Sequence, residues 1–542
     1  MKTRLIRHSV ATAVLGLLAA AASGREVRSV PSSEVDALFA TWTKVTPGCA
    51  VGVSAGGRII LEKAYGMADL EHEVPNAPDT IFEAGSVSKQ FTAMAVLLLA
   101  KDGKLSLDDP VRRYIPELPE NSAAITIRQM LQHTSGLRDW GSVEDTAGWP
   151  RGTRVYTHAH VLDIAGRQSR LNFSPGTRWS YSNTGYNLAA ILVSRIAGEP
   201  FAEFTRKRIF EPLGMTRTSW RDDFTQVVKG RAIAYAASDA GYKTDMPFEN
   251  VHGNGGLLTT VGDLLRWNRN FTEAHVGDAA LLRAAQMPGR LSNGPEHGYA
   301  FGLSVDRYKG LREIRHSGTT ASYRAYLSRF PDEDVSVALL CNAGDSMPRK
   351  TLHDVADLYL ADVLKPEPDP PAVEVGDAQL DALAGLYRNA ERGDVIRIER
   401  DEKGLKAGDG MALVALSRAR FTDRDGTFIE FDGRDAATLD DGSGSLIRLE
   451  KIAQARPAAA ELEALAGTYT SDDAEVILRV QLRDGALEIL RRPDGVFPLT
   501  PLYTGAFDSE LGTIIFRRDG AGQPVDFSVV QDRVWDLRFR RQ

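Results

Sequence analysis

Cysteine is nearly absent: there are two in 542 residues, Cys49 and Cys341. A small disulfide-built scaffold is thereby excluded, and the fold must rest on apolar cores. Both cysteines sit in strand-like runs, GCAVGV and VSVALLCN. Buried thiols and a single bridge are the two readings left open. A basic excess is absent too. Lys and Arg number 65 against 72 Asp and Glu, for a net charge of −7, so no surface for nucleic acid is implied. No apolar run approaches membrane-spanning length except near the start, where basic MKTRLIRHS precedes VATAVLGLLAAAA and the small residues AAASG. That run is too short to span a membrane and is read as a signal peptide, with an exported, periplasmic or secreted protein expected. No cysteine follows it to carry a lipid. Gly-rich phosphate loops and zinc-ligand spacings are missing, and His158 and His160 lack a third ligand, so neither a cofactor nor a metal is expected.

The length calls for several domains. SEVDALFATWTKVTP (33–47) predicts a short amphipathic helix. CAVGVSAGGRIILEKAYG then predicts a hairpin turning at Ala55-Gly56-Gly57. Ser86 to Gly103 is apolar nearly all round, as a buried helix would be. LREIRHSG, YRAYLSRFP and VSVALLCN predict three successive strands, closed by a helix in RKTLHDVADLYLADVLK. Strands at both ends and helices between suggest an α+β domain with one shared sheet. KPEPDPP (365–371) is a stiff linker. Beyond it AQLDALAGLY (378–387) returns as AELEALAGTY (460–469), which marks two copies of one small antiparallel β unit.

The chemistry-bearing stretch is FEAGSVSK, 82–89. Ser86 and Lys89, three apart, share one helical face. A lysine in apolar surroundings loses preference for its charged form, as a base requires. Standing alone, the pair is equally an N-cap serine and a snorkelling lysine. GVSAG (52–56) has the Gly-x-Ser-x-Gly spacing of a nucleophile elbow, but Ser54 is followed by another strand and is read as a hairpin residue. His133 in QHTSG is read as tying a loop.

Context decides for Ser86. FEAGSVSKQFTAMAVLLLAKDGKLSLDDPV, ITIRQMLQHTSGLRDW, FSPGTRWSYSNTGYNLAAILVSRIAG, IFEPLGMTRTSW, NGGLLTTVGDLLRW and RHSGTTASYRAYLSRFPDEDVSVALLCN occur in one order over residues 35–364. Together they resemble the penicillin-recognising serine hydrolases, in the branch of class C β-lactamases, D-aminopeptidases and related esterases. The resemblance implies Ser86 as acylated nucleophile and Lys89 as its proton acceptor or electrostatic partner, with the formal base left open between Lys89 and Tyr181. It implies Tyr181 as proton shuttle and Asn183 as donor to the substrate carbonyl, with the backbone N–H groups of Ser86 and Thr319 as the oxyanion hole. His316-Ser317-Gly318 stands where lactamases and transpeptidases keep Lys-Thr-Gly. His316 and Gly318 are thus the substrate-binding positions of the third motif, with a conditional cation in place of a fixed one.

The expected fold is α+β: an antiparallel sheet flanked by helices with an all-helical subdomain (β-lactamase/transpeptidase-like), followed by two β-barrel-like domains. The divisions are a signal peptide 1–24, hydrolase domain 25–364, linker 365–375 and barrels 376–456 and 457–542. The expected function is acyl transfer through an acyl-enzyme on small amides or esters, as in D-aminopeptidases and esterases. A β-lactamase or D,D-carboxypeptidase is the alternative, and a non-catalytic penicillin- or peptidoglycan-fragment-binding module the second. The expected partner is a small-molecule or short-peptide substrate, with no nucleic acid and no membrane span. Oligomerisation is left open.

Overall fold

The computed structural model describes residues 28–365, 371–402, 404–408, 410–423 and 426–542. The signal-peptide expectation at 1–24 and residues 366–370 of the expected linker lie outside the described residues.

The first helix, α1 (Ser32–Leu38), ends well before residue 47. The Thr43 amide donates to Thr46 Oγ1 at 2.7 Å, a local bond that competes with a helix. Strands β1 (Cys49–Ala55) and β2 (Arg58–Tyr65) form the expected hairpin, with φ of +56° at Gly56 and +72° at Gly57. Both turn residues are left-handed, the geometry that matches strand twist. Helices α2 (Lys89–Lys101), α3 (Trp140–Ala147) and α4 (Asn183–Ala197) build the middle of the domain. Then come β3 (Ser304–Tyr308), β4 (Leu311–Thr320), β5 (Tyr323–Phe330), β6 (Val335–Cys341) and helix α5 (Pro348–Leu360).

The sheet runs β3-β4-β5-β6-β1-β2, so the first and last strands of the domain meet at its centre. Cys49, Val51 and Val53 face α1 and α5, packing with Val35, Phe39, Leu352 and Val355. Ala50 faces the larger core with Phe91 and Leu340. Burial on both faces explains why these strands are unbroken apolar runs rather than alternating ones. β1 and β6 pair with Cys49 opposite Cys341, and the two sulfurs are bonded. The open reading of the cysteines therefore falls to the bridge, which closes a sequence separation of 292 residues. Cys49→Ser is expected to cost about 2–5 kcal/mol by freeing the unfolded chain. Thermal unfolding with and without reductant measures it, and an unchanged melting temperature would show that strand pairing alone holds β1 to β6.

Beyond the linker, eight strands from Gly385–Asn389 to Leu446–Ile452 close a barrel by pairing Leu386 with Ile452. Eight more, from Gly467–Ser471 to Val534–Arg541, close a second by pairing Tyr469 with Arg541. The internal repeat is the device that plugs each barrel. A helix (Asp377–Leu383, then Ala459–Leu465) precedes the first strand of each. A buried tyrosine on that strand donates back to the helix: Tyr387 to Leu383 O at 2.8 Å, and Tyr469 to Leu465 O at 2.9 Å.

Enclosure lowers the pKa of five histidines: His133, His158 and His252, with His297 drawn to about 4 and His316 to about 3. In the unfolded chain such groups titrate near 6.5. Below that pH the unfolded state takes up protons that the fold refuses, so stability is full above about 6.5 and falls as the pH drops. His297 and His316 alone give a slope of about 2 kcal/mol per pH unit near pH 5. Urea unfolding at pH 7 and pH 5 checks this, and equal midpoints would contradict neutral burial.

Candidate active site

The stretch before the nucleophile is held by a buried ion pair. Glu83 Oε2 meets Arg221 Nε at 2.8 Å, with both side chains 1% exposed. The chain then makes a 3₁₀ turn over Gly85–Ser88, and α2 begins only at Lys89, three residues later than the sequence pattern suggests. Gly85, at φ +50°, and the Ser88 hydroxyl, which donates to Gly85 O at 2.6 Å, tighten this turn. Ser88 Oγ also accepts from Leu257 N at 3.1 Å, so the second hydroxyl of the motif is a clasp.

β3 covers β4 only as far as Arg315, leaving residues 316–320 as an edge beside that turn. A Cβ added at Gly318 would lie 2.0 Å from Ala84 O, and one at Gly85 would lie 2.6 Å from Thr319 N. Two glycines therefore allow the strand and the turn to touch, bringing the amides of Ser86 and Thr319 to one place. The Ser86 amide has no backbone acceptor among the described residues.

Lys89 is 0% exposed. Its Nζ lies 2.9 Å from Asn183 Oδ1, 2.7 Å from Asn254 O and 3.0 Å from Ser86 Oγ. Burial pushes its pKa well below the usual lysine value. A neutral amine has two N–H groups, which the two carbonyl oxygens take, and one lone pair, which remains for the serine proton. Asn183 accepts from Lys89 through Oδ1 and so keeps its NH2 for a substrate. Tyr181 lies with its ring 4.8 Å from Lys89 Nζ. Burial raises its pKa, opposed by a hydrogen bond with Ser86 and by the Arg533 charge.

Tyr181 is gripped by His133, which holds both sides of it. Ser180 N donates to His133 O at 3.0 Å, and Ser182 N to His133 Nδ1 at 3.2 Å. The ring centroids of His133 and Tyr181 are 4.3 Å apart. His133 thus ties a loop, as expected, and the loop it ties carries the phenol. His316 lines the cavity, yet both of its ring nitrogens have protein partners. Nε2 lies 2.9 Å from Tyr299 Oη and Nδ1 lies 2.6 Å from Ser317 O. Its neutral ring offers no cation at the third motif.

Four contributors were missed by reading the sequence. Asp139 caps α3 and its Oδ2 accepts from Asn183 N at 2.6 Å. Asn254 supplies a backbone carbonyl, which no side-chain pattern can announce. Arg151 and Arg533 line the cavity, about 400 Å³, together with Ser86, Tyr181, Asn183 and Thr319. Arg533 comes from the second barrel, in the two-residue turn between Pro524–Gln531 and Val534–Arg541.

A serine, a buried lysine and a tyrosine gathered at a sheet edge fit a serine hydrolase. The Beta-lactamase family profile matches residues 33–361, and the chain belongs to that family. It is 29% identical to Penicillin-binding protein 4* of Bacillus subtilis (strain 168) over 307 residues, 53% of this chain and 66% of that protein. It is 25% identical to a D-aminopeptidase of Brucella anthropi over 523 residues, 89% of this chain and 93% of that protein. In three dimensions it resembles the octameric penicillin-binding protein homologue from Pyrococcus abyssi. That match has a TM-score of 0.55 at 21% identity, covering 86% of this chain and 98% of the other. Among the described residues no helix is long and apolar enough to cross a membrane.

Proposed function

We propose that the protein is an exported serine hydrolase that cleaves small amides or esters through an acyl-enzyme, in the manner of the D-aminopeptidase and esterase branch. The observation that carries this is Lys89, buried, neutral in tendency and 3.0 Å from Ser86 Oγ. Ser86 Oγ attacks the carbonyl carbon while its proton passes to Lys89 Nζ. The developing oxyanion sits against the Ser86 and Thr319 amides. Tyr181, kept protonated by burial, hands a proton to the departing amine or alcohol and recovers one from Lys89. Water repeats the sequence on the acyl-enzyme, with the same base. A neutral His316 in place of a fixed lysine is what turns the reading from β-lactams. The basic-then-apolar start of the sequence and the Cys49–Cys341 bridge support export.

The test is covalent. A fluorophosphonate is expected to add its mass to the peptide carrying Ser86, and short-chain p-nitrophenyl esters are expected to turn over faster than nitrocefin. No labelling of the folded protein, or equal labelling of Ser86→Ala, would overturn the assignment. The relative named Penicillin-binding protein 4* favours a second reading as a penicillin-acylated protein. A long-lived benzylpenicillin adduct without ester turnover would select it.

A further inference from the structure

The cavity holds a cation with no ion-pair partner among the described residues. Arg151 is neutralised: its Nε lies 3.1 Å from Glu249 Oε2, and its Nη2 binds Glu249 Oε1. Arg533 has no ion pair and its guanidinium no hydrogen-bond partner among the described residues; its Cζ lies 4.8 Å over the Tyr181 ring. No aspartate or glutamate lines the cavity among the described residues.

Nor is Arg533 a loose surface side chain. Its carbonyl accepts from Asp139 N at 3.3 Å and from Asn172 Nδ2 at 2.9 Å. The neighbouring Trp535 amide donates to Asn172 Oδ1 at 3.0 Å, and the Trp535 ring packs on Phe173 at 4.9 Å. The turn is pinned to the segment that carries the catalytic tyrosine. A guanidinium held over the Tyr181 ring presents a planar fork of donors that matches a carboxylate in geometry and charge.

We infer that Arg533, delivered by the second barrel, binds an anionic group of the substrate, so that this site selects amides or esters carrying a carboxylate near the scissile carbonyl. The inference rests on the hydrolase reading for the reaction but not for the recognition. It also narrows that reading, because a free α-ammonium beside Arg533 would be repelled, which disfavours aminopeptidase substrates. The cavity volume limits the whole group to a small acyl chain or one or two residues.

Two measurements separate the ideas. Calorimetry with the non-reactive Ser86→Ala protein compares N-acetyl-D-alanine with its neutral amide. The acid is expected to bind about 10- to 100-fold more tightly, and the difference to vanish in Ser86→Ala/Arg533→Met and persist in part with Arg533→Lys. Kinetics on the full-length enzyme compare p-nitrophenyl hydrogen glutarate with p-nitrophenyl valerate. The kcat/KM ratio is expected to favour the glutarate by a similar factor, through KM, and to fall near unity in Arg533→Met and below it in Arg533→Glu. Equal affinity for acid and amide, or a preference that survives Arg533→Met, would overturn the inference. Absence of ester turnover and of Ser86 labelling would instead remove the hydrolase reading, leaving calorimetry to decide on Arg533.

Discussion

Lys89→Met is expected to lower kcat/KM for any turned-over ester by roughly 10³- to 10⁴-fold while leaving the protein folded. Among the described residues the amine is the only base within hydrogen-bond reach of Ser86 Oγ whose environment favours the proton-accepting form. Methionine fills similar volume at the start of α2. It leaves Asn183 Oδ1 and Asn254 O without their donor, a cost of about 1–3 kcal/mol. Part of that is offset because the cost of taking the amine out of water is removed. The pair of readouts separates catalysis from packing: a rate loss of orders of magnitude with a melting temperature lowered by only a few degrees. The pH profile adds a sign. The wild-type rate should rise with pH as Lys89 loses its proton, and that limb should lie far below the usual lysine range. It should fall again only where Tyr181 ionises, above the usual phenol range, since burial raises that pKa. A Lys89→Met enzyme within tenfold of wild type would shift the base role to Tyr181.

How much of this was legible in the sequence depends on the range of the interaction. Ser86 and Lys89 are neighbours along one turn, and the spacing carries the geometry whether the turn is 3₁₀ or α. The sheet was legible because a strand buried on both faces must be apolar throughout, as VSVALLC is. The Cys49–Cys341 bond was not, because it depends on the register of β1 against β6 and not on any local pattern. His316 shows a different limit. Its identity announced a conditional cation, but its neutrality comes from enclosure and from the nearby Lys89, against the opposing Ser317 carbonyl, all tertiary facts. Arg533 lies furthest out of reach: a turn residue of the last hairpin meets Tyr181 only because two domains dock. The repeat announced the barrels, but nothing in it said that one of them reaches the site.

That docking is itself testable, and its centre is a buried ion pair. Asp473→Ala is expected to destabilise the protein by about 3–5 kcal/mol. Asp473, at the start of the second barrel, lies 2.7 Å from Arg138 Nη1, with the two side chains 9% and 0% exposed. It also accepts from Ser169 N at 3.1 Å and Ser169 Oγ at 2.9 Å. Alanine would leave the guanidinium enclosed with Gln168 Oε1 and the Asp536 carbonyl as partners, and only the Asp536 carboxylate, which does not bond it, as counter-charge. Around the pair, Trp140, Val143 and Tyr156 of the hydrolase domain share one core with Leu462, Leu465 and Leu478 of the barrel. Cutting the chain at the linker would expose that core, so a point substitution is the cleaner probe. Activity should fall as well, because the link is short. The Arg138 carbonyl accepts from Thr184 Oγ1 at 2.7 Å, and the next residue, Asp139, holds the Asn183 amide. Loosening the barrel therefore slackens the segment that aims Asn183 and withdraws Arg533 from the cavity. The double variant Arg138→Met/Asp473→Ala removes the orphaned charge and should recover part of the loss, so the two substitutions are non-additive. Urea unfolding of the four proteins measures this. A loss below about 1 kcal/mol for Asp473→Ala, or strict additivity, would show that the apolar interface alone holds the barrel over the site.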